Sequence, residues 1–501
     1  MPFRLALALL ALLAVPTANA TAPAAQYHLT VTEAALHAAE TPSLDLVATL
    51  DLRDGRLAMS PMGPLPERWP TFIADLTVEA LDGTLLPVAA SEAPGWTVDA
   101  PDQPIRIRYT VQLDHERLEW PGGIDGVAFV RDWGAFLTGR AVFVTSPEAE
   151  AAPDGKAFAS VRISLPDDWI ATTPWAPAEA ADTWHVETAT ALTESLLMLG
   201  THTERVLARG PLALRFAVAG EANADRAEAF AAQSGAILDY YTDLMGGLPA
   251  PPPDRPLSTI VVTVAEAAST DGEVIGNHIS MLLEADNSPE NATFGWLLFA
   301  HEVFHLWNGA TLRVADSQAD WFKEGVTSYY TLKALHHVGL LPEVGVLGVL
   351  DGLFYARYRA DEGYGTLSMR EAASGFDKDN HWGLVYGGGL FAGLCIDLQV
   401  REATANARSL DDLMRDFYTE HAGNDRTYTT DDVLAAANSL SGRDVTPFFD
   451  DHIRGMAPVP VAECLARTAL DVTTETGRLV ATPNPEASAL EVALWEGVLG
   501  R

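Results

Sequence analysis

The sequence carries little positive charge. Its 501 residues include 32 Lys and Arg against 68 Asp and Glu, which gives a net charge of −36. Nucleic acids and anionic lipid surfaces attract basic proteins, so this balance argues against both as main partners. The acidity is that of a solvated surface, or of a cleft that favours a substrate with a free amine; composition leaves both open.

Long apolar runs are also scarce. Residues 1–20 have the pattern of a signal peptide: Arg4 precedes the apolar run Leu5–Val15, and Ala18-Asn19-Ala20 is a small-residue cleavage site. Beyond it no stretch reaches about 18 consecutive apolar residues, so we expect no membrane anchor. The residue directly after the cleavage site is not a cysteine, which argues against a lipoprotein. The sequence predicts export, to the periplasm or the medium.

Cysteine is almost absent, with Cys395 and Cys464 the two examples. In an exported protein the two could pair. Cys395 lies in an apolar helical run, Leu390–Leu398, where a buried free thiol is the alternative.

Repeats and long low-complexity tracts are lacking too. Alternation of apolar and polar residues predicts strands at Tyr27–Val31, Leu44–Leu52 and Ile105–Leu113. Asp54-Gly55 and Asp82-Gly83 are typical of turns between strands. Residues 21–220 are therefore predicted to form a β-sandwich-like domain.

A helical pattern dominates residues 221–460. Helices are predicted at 222–245 (stopped by Gly246-Gly247), 293–308 (with Gly309 as its C′ residue), 319–337, 386–402 and 409–420, and a strand at 257–264. Residues 461–501 form a tail too short for another domain, with a strand pair predicted around Thr476-Gly477. The fold class expected is α+β multidomain, with the β-rich domain followed by a mainly helical one.

The most informative motif is His301-Glu302-Val303-Phe304-His305. Histidines four apart on a helix share a face and can bind one metal ion. Glu324, after eighteen intervening residues, would complete a His2Glu zinc set whose fourth position holds a water. Zinc can lower the pKa of that water to about 7, and Glu302 would act as the general base. The alternative is two histidines satisfied within the core, although burying them unpaired is costly.

Polar residues near the motif are candidates to orient the imidazoles. Asn308 lies close to one turn after His305, and Thr327 and Ser328 lie one turn after Glu324. Each is equally explained as an ordinary helix-end or surface polar group.

Two segments resemble the glycyl aminopeptidase family of gluzincin zinc metallopeptidases. They are the run from His301 to Asn308 and the run Trp321-Phe322-Lys323-Glu324-Gly325-Val326-Thr327-Ser328-Tyr329-Tyr330. The likeness covers about residues 220–460. It implies a thermolysin-like catalytic domain in which His301, His305 and Glu324 bind one zinc ion and Glu302 is the base. Related enzymes use the tyrosine of a Tyr-x-Lys-Gly element to stabilise the oxyanion, and Tyr386 of Tyr386-Gly387-Gly388-Gly389 matches it. A packed aromatic is the alternative for Tyr386.

The chain departs from the family pattern at four points, and the last of them bears on specificity. Gly388 replaces the lysine, the interval between His305 and Glu324 is short, and the tail has no room for a PDZ domain. The Gly-rich element whose glutamate grips the substrate amine is matched weakly by Gly272–His278, so Glu273 is either that acid or a surface-loop acid. The sequence thus predicts an exported zinc metallopeptidase acting on peptides, aminopeptidase-like. An endopeptidase of the same fold and an inactive exported peptide-binding protein are the alternatives.

Overall fold

The structure is a computed structural model that describes residues 25–62, 65, 68–91, 94–117, 126–146, 158–220, 223, 227–253, 259–275, 278–284, 289–374, 377–474 and 477–501. The predicted signal peptide lies outside the described residues, as do residues 222, 224–226, 257–258, 276–277 and 476 of the predicted elements.

Strands dominate the first part of the chain, where alternating sequences place apolar side chains on one face. In chain order they are β1 (Ala25–Thr30), β2 (Ser43–Leu52), β3 (Arg56–Ala58), β4 (Ile73–Ala80), β5 (Val88–Ala90), β6 (Gly95–Val98), β7 (Gln103–Gln112), β8 (Phe129–Arg131), β9 (Gly134–Thr138), β10 (Ala159–Ser164), β11 (Ile170–Thr172), β12 (Ala176–Pro177), β13 (Thr183–Val186) and β14 (Leu196–Gly200). Two short helices, α1 (Gly139–Val142) and α2 (Ala189–Thr193), lie among them.

These strands form two main sheets and a small one. The described strands of the largest run in the order β12-β13-β10-β1-β2-β7-β4, and those of the second in the order β11-β14-β9-β8. Both sheets contribute to one hydrophobic cluster. Tyr27 of β1 reaches across it, donating a hydrogen bond to the Val144 carbonyl at 3.1 Å. The predicted sandwich-like domain is confirmed, with β1, β2 and β7 at the predicted places.

The remaining strands are β15 (Thr203–Arg209), β16 (Leu212–Val218), β17 (Thr259–Ala267), β18 (Val274–Ile275), β19 (His278–Glu284), β20 (Arg313–Val314), β21 (Thr427–Tyr428), β22 (Leu470–Thr473) and β23 (Val480–Pro483). The main sheet of this region has the described order β15-β16-β17-β19-β18, with β16, β17 and β19 parallel. Its short edge strand β18 follows directly after Glu273.

Helices follow, as the sequence predicts. They are α3 (Ala227–Met245), α4 (Pro289–Phe304), α5 (Asp320–His337), α6 (Glu343–Val349), α7 (Ala356–Ala360), α8 (Met369–Ala372), α9 (Asp377–Asn380), α10 (Gly389–Ala403), α11 (Leu410–His421), α12 (Thr430–Ser441), α13 (Thr446–His452), α14 (Val461–Leu465) and α15 (Ala489–Val498). A single hydrophobic cluster joins this region to the sheet. The mainly helical second region is confirmed.

The helix that carries the histidine motif differs from its prediction. It spans Pro289–Phe304, and a wide turn at Leu306–Thr311 follows it. Main-chain hydrogen bonds from Ala310 to His305 and from Leu312 to Trp307 span five residues there. The helix ends at Phe304 and Gly309 has φ 166°, which is extended backbone, so the prediction that Gly309 is the C′ residue of this helix is wrong. The wide turn replaces a simple helix end.

The C-terminal residues pack against the helical region. β22 and β23 pair antiparallel where the strand pair was predicted. Leu494, Trp495 and Val498 of α15 are buried in the hydrophobic cluster. Cys395 of α10 and Cys464 of α14 form a disulfide with a Cα–Cα distance of 5.4 Å. The question of a free thiol is thereby answered in favour of pairing.

One described helical stretch, Gly383–Ala403, is long and apolar enough to cross a membrane, but 89% of its most apolar window is buried inside the protein. A core helix of a globular domain passes the same test, and Gly383–Ala403 packs against α5 in the centre of the helical region.

Candidate metal centre

The metal centre is built where α4 and α5 cross. His301 lies in the last turn of α4, His305 directly follows that helix, and Glu324 lies in the second turn of α5. A Cβ at Gly325 would come within 2.2 Å of the Gly389 carbonyl carbon. Glycine after Glu324 therefore lets α5 approach α10 closely and seats Glu324 in the core.

Three ligand atoms converge on one point. The Nε2 atoms of His301 and His305 are 3.0 Å apart, and Oε2 of Glu324 is 3.5 Å and 3.0 Å from them. Ligands about 2.0 Å from a shared tetrahedral ion lie about 3.3 Å from one another. The spacing and the His2Glu composition therefore fit a zinc ion with an open fourth position.

The charges around Glu324 favour its ligand role. Burial alone would raise its pKa, but Lys323 and Lys378 outweigh burial and hold the pKa of the Glu324 carboxyl well below its usual range. Their ammonium groups lie 3.0 Å and 3.1 Å from Oε1 of Glu324. The other carboxylate oxygen, Oε2, faces the two histidines. Burial lowers the pKa of His301 to about 4, so its imidazole is neutral at pH 7 and free to bind a metal.

Neighbouring groups fix both imidazoles. His305 Nδ1 donates to the Asn308 carbonyl oxygen at 3.0 Å, and Ser328 Oγ lies 3.3 Å from His301 Nδ1. The Asn308 side chain donates to the Lys323 carbonyl and to Thr327 Oγ1, and accepts from Tyr428. Asn308 and Ser328 thus contact the imidazoles, whereas Thr327 contacts Asn308.

The predicted oxyanion donor contacts the metal centre, and the predicted base is adjacent to a ligand along the chain. Glu302 is 8% exposed and follows His301 on α4. The Tyr386 ring stacks on His301, with centroids 5.9 Å apart and an interplanar angle of 26°. Tyr386 lies in the turn Gly383–Gly388 that leads into α10. His301, His305, Glu324 and Tyr386 therefore come together, and Glu302 is the next residue after His301 on α4.

Glu273 lies in the irregular segment just before β18. It is half-buried, and its main-chain N–H donates to Ser280 Oγ at 2.9 Å. Burial raises the pKa of Glu273, and the nearby acids Glu194 and Asp271 raise it further. The cations Arg140 and Lys378 lower it. Arg140 and Glu194 come from the N-terminal domain and form an ion pair with each other.

Several residues of the site were missed from the sequence, above all Lys323 and Lys378. The rarity of lysine could have indicated them, because the sequence has lysine at four positions only, 156, 323, 333 and 378. Two of these four lysines contact the same carboxylate. Arg140 and Glu194 carry no comparable local signal, since only the fold brings them to Glu273.

A β-rich N-terminal domain and a helical domain with this His2Glu set define a thermolysin-like zinc peptidase. Comparison with known families agrees: residues 66–201 match the Peptidase M61 N-terminal domain, and residues 296–388 match the M61 glycyl aminopeptidase domain. The chain thus matches the models of both M61 domains and is a zinc-dependent metallopeptidase, as the resemblance implied.

One solved structure shows the same fold over most of its length. An aminopeptidase N family protein from Idiomarina loihiensis aligns with a TM-score of 0.73 and 18% identity over 90% of this chain and 79% of that chain. An M1 zinc metallopeptidase variant from Deinococcus radiodurans, bound to a Tyr-Ser-Ala substrate, aligns with a TM-score of 0.48 and 14% identity over 88% and 95% of the two chains. No curated protein matches the sequence.

Proposed function

We propose that this metallopeptidase is an exported aminopeptidase that removes residues from the free N-terminus of peptides. The observation that carries the proposal is the position of Glu273 in a group of acids with Glu194 and Asp271. Lys378 connects this group to the metal centre, because it contacts Glu324 and also acts on the pKa of Glu273.

The charge balance of this group suits an ammonium ligand. Two acids, Glu194 and Asp271, and two cations, Arg140 and Lys378, act on the pKa of Glu273, so together with Glu273 the acids in this group outnumber the cations. Removing a carboxylate from water is costly unless a cation compensates it, which is why burial raises the pKa of Glu273. A substrate α-ammonium would supply that compensation and align the first peptide bond with the metal centre.

Export is supported by two independent features of the chain. The N-terminal 20 residues have a signal-peptide pattern, and Cys395 pairs with Cys464. Disulfides persist in oxidising compartments and are rare in the cytosol of ordinary cells. Both features support a periplasmic or secreted enzyme.

The chain's own residues divide the chemistry of hydrolysis. A bound zinc ion would supply a water with a pKa near 7. Glu302 takes the proton from the attacking water and passes it to the leaving amine. Tyr386 donates a hydrogen bond to the oxyanion of the tetrahedral intermediate, and Glu273 holds the α-ammonium. His301, His305 and Glu324 would hold the ion.

A substrate panel tests the proposal. Purified protein with measured zinc content is given matched peptides with free or acetylated N-termini, and Glu302→Gln serves as the inactive control that keeps zinc. We expect hydrolysis of the free peptides alone, one residue at a time. Internal cleavage of acetylated peptides would make the enzyme an endopeptidase, and cleavage of neither by the zinc-loaded protein would favour a peptide-binding role.

A further inference from the structure

A chain of stacked aromatic rings extends from the metal centre. The rings of Tyr386 and Trp382 are 5.1 Å apart with an interplanar angle of 6°, and those of Trp382 and Phe354 are 5.6 Å apart at 15°. His301 stacks on Tyr386, as described above. Tyr386 therefore shares stacking contacts with a metal ligand and with Trp382.

The turn that carries this stack is held firmly. Asp361, whose side chain is 3% exposed, accepts hydrogen bonds from His381 Nδ1 at 2.9 Å and from the Leu384 N–H at 3.1 Å. A Cβ at Gly383 would come 2.3 Å from the Arg357 carbonyl oxygen, so only glycine permits this approach. Trp382 is thereby fixed on both sides along the chain.

Charge reinforces the outer part of the stack. The guanidinium carbon of Arg357 lies 4.8 Å from the centroid of the Trp382 ring, within cation–π distance. Trp382 thus has contacts on Tyr386, Phe354 and Arg357, which leaves its ring little freedom to turn.

We propose that Trp382 is a positioning residue that holds the Tyr386 phenol in the orientation it needs to donate to the oxyanion. Parallel offset stacking fixes the plane of the Tyr386 ring. An oxyanion donor must come within about 3 Å of the developing charge, and a displacement of about 1 Å can cost about 100-fold in rate. This inference rests on the proposed function, because it requires the oxyanion role of Tyr386.

A double-mutant cycle tests this role. Trp382→Leu removes the stacking ring, and we expect it to lower kcat by about 10- to 100-fold with KM changed less than about twofold. In a Tyr386→Phe background the same substitution should change kcat less than about twofold, because the hydroxyl that it positions is gone. Trp382→Phe, which retains a stacking ring, should recover most of kcat.

A second readout does not depend on turnover. A phosphinic dipeptide analogue resembles the tetrahedral intermediate, and Trp382→Leu should weaken its binding by a similar factor in calorimetry. Phe129→Leu removes one ring of a stack with Phe136 in the N-terminal domain, 5.2 Å between centroids, and controls for general destabilisation. If Trp382→Leu does not fold, Phe354→Leu shortens the same stack and enters the same cycle, with an expected kcat loss of about threefold or more.

Equal losses of kcat from Trp382→Leu in both backgrounds, or an effect on KM alone, would overturn the positioning role. Failure of the proposed function looks different. If Tyr386→Phe retains full kcat while Glu302→Gln is inactive, the oxyanion role and the positioning role both fall but the peptidase stands. If Glu302→Gln matches wild type, the assignment of the base itself is wrong.

Discussion

The ammonium of Lys378 lies 3.1 Å from Oε1 of Glu324. The other carboxylate oxygen, Oε2, faces His305 Nε2 at 3.0 Å. One carboxylate thus presents one oxygen to the ligand set and the other to a lysine. Partners of this kind orient a metal ligand and contribute to metal affinity without binding the metal.

We therefore expect Lys378→Met to weaken zinc binding by about tenfold, the lower end of what such partners contribute, because Lys323 still contacts Oε1. Competition with a chelator of known affinity measures the change. Lys378→Arg keeps the positive charge and should bind zinc within about threefold of wild type. Tighter zinc binding by Lys378→Met would mean that the lysine acts mainly by repelling the ion.

How far the sequence predicts this site depends on how local each signal is. His301, His305 and Glu324 follow from residue spacing along two helices, because helical periodicity alone puts side chains on a shared face. The alternating strands β1, β2 and β7 follow from a period of two for the same reason.

Other features depend on contacts between distant segments and have no local pattern. Arg140 meets Glu194 across 54 residues, and both reach Glu273 only because the N-terminal domain packs against the sheet of the catalytic region. In the wide turn after Phe304 the Asn308 carbonyl accepts from His305, where Gly309 indicates a simple helix end. The pairing of Cys395 with Cys464 similarly required the packing of α14 on α10.

Glu273→Gln tests the amine site directly. Loss of the carboxylate should raise KM for free-amine peptides by about tenfold or more, because a charged hydrogen bond contributes about 1.5–3 kcal/mol. Because burial raises the pKa of Glu273, KM for these peptides should also rise as the pH falls, and this dependence should vanish in the variant. Glu284→Gln, at an exposed acid on the neighbouring strand β19, is the matched control. Unchanged KM in Glu273→Gln would remove this residue from substrate recognition.

The disulfide should stabilise the helical region. Its two cysteines are 69 residues apart. Closing a loop of that size lowers the entropy of the unfolded chain, which stabilises the folded state by about 4 kcal/mol. Replacing both residues, as Cys395→Ala with Cys464→Ser, should lower the urea midpoint under oxidising conditions. The same loss should follow when wild type is reduced, while reductant should leave the variant unchanged. A wild-type midpoint insensitive to complete reduction would contradict a stabilising role.

Acid should destabilise the protein through its buried neutral histidines, of which His278 on β19 is fully buried. Burial lowers the pKa of His278 to about 3, from its ordinary 6.5. Between these values the unfolded chain binds a proton that the folded chain does not, so stability falls as the pH drops from about 6.5 towards 3. The slope for one such group is about 1.4 kcal/mol per pH unit.

His278→Gln removes this contribution, and its unfolding free energy should fall less steeply with acid than that of wild type. Chelator-treated proteins are compared in urea titrations from pH 7 to 4.5, so that loss of metal does not contribute. His185→Gln, at an exposed histidine of β13, should keep the wild-type slope. Parallel curves for wild type and His278→Gln would show that His278 takes up a proton in the folded protein as readily as in the unfolded chain.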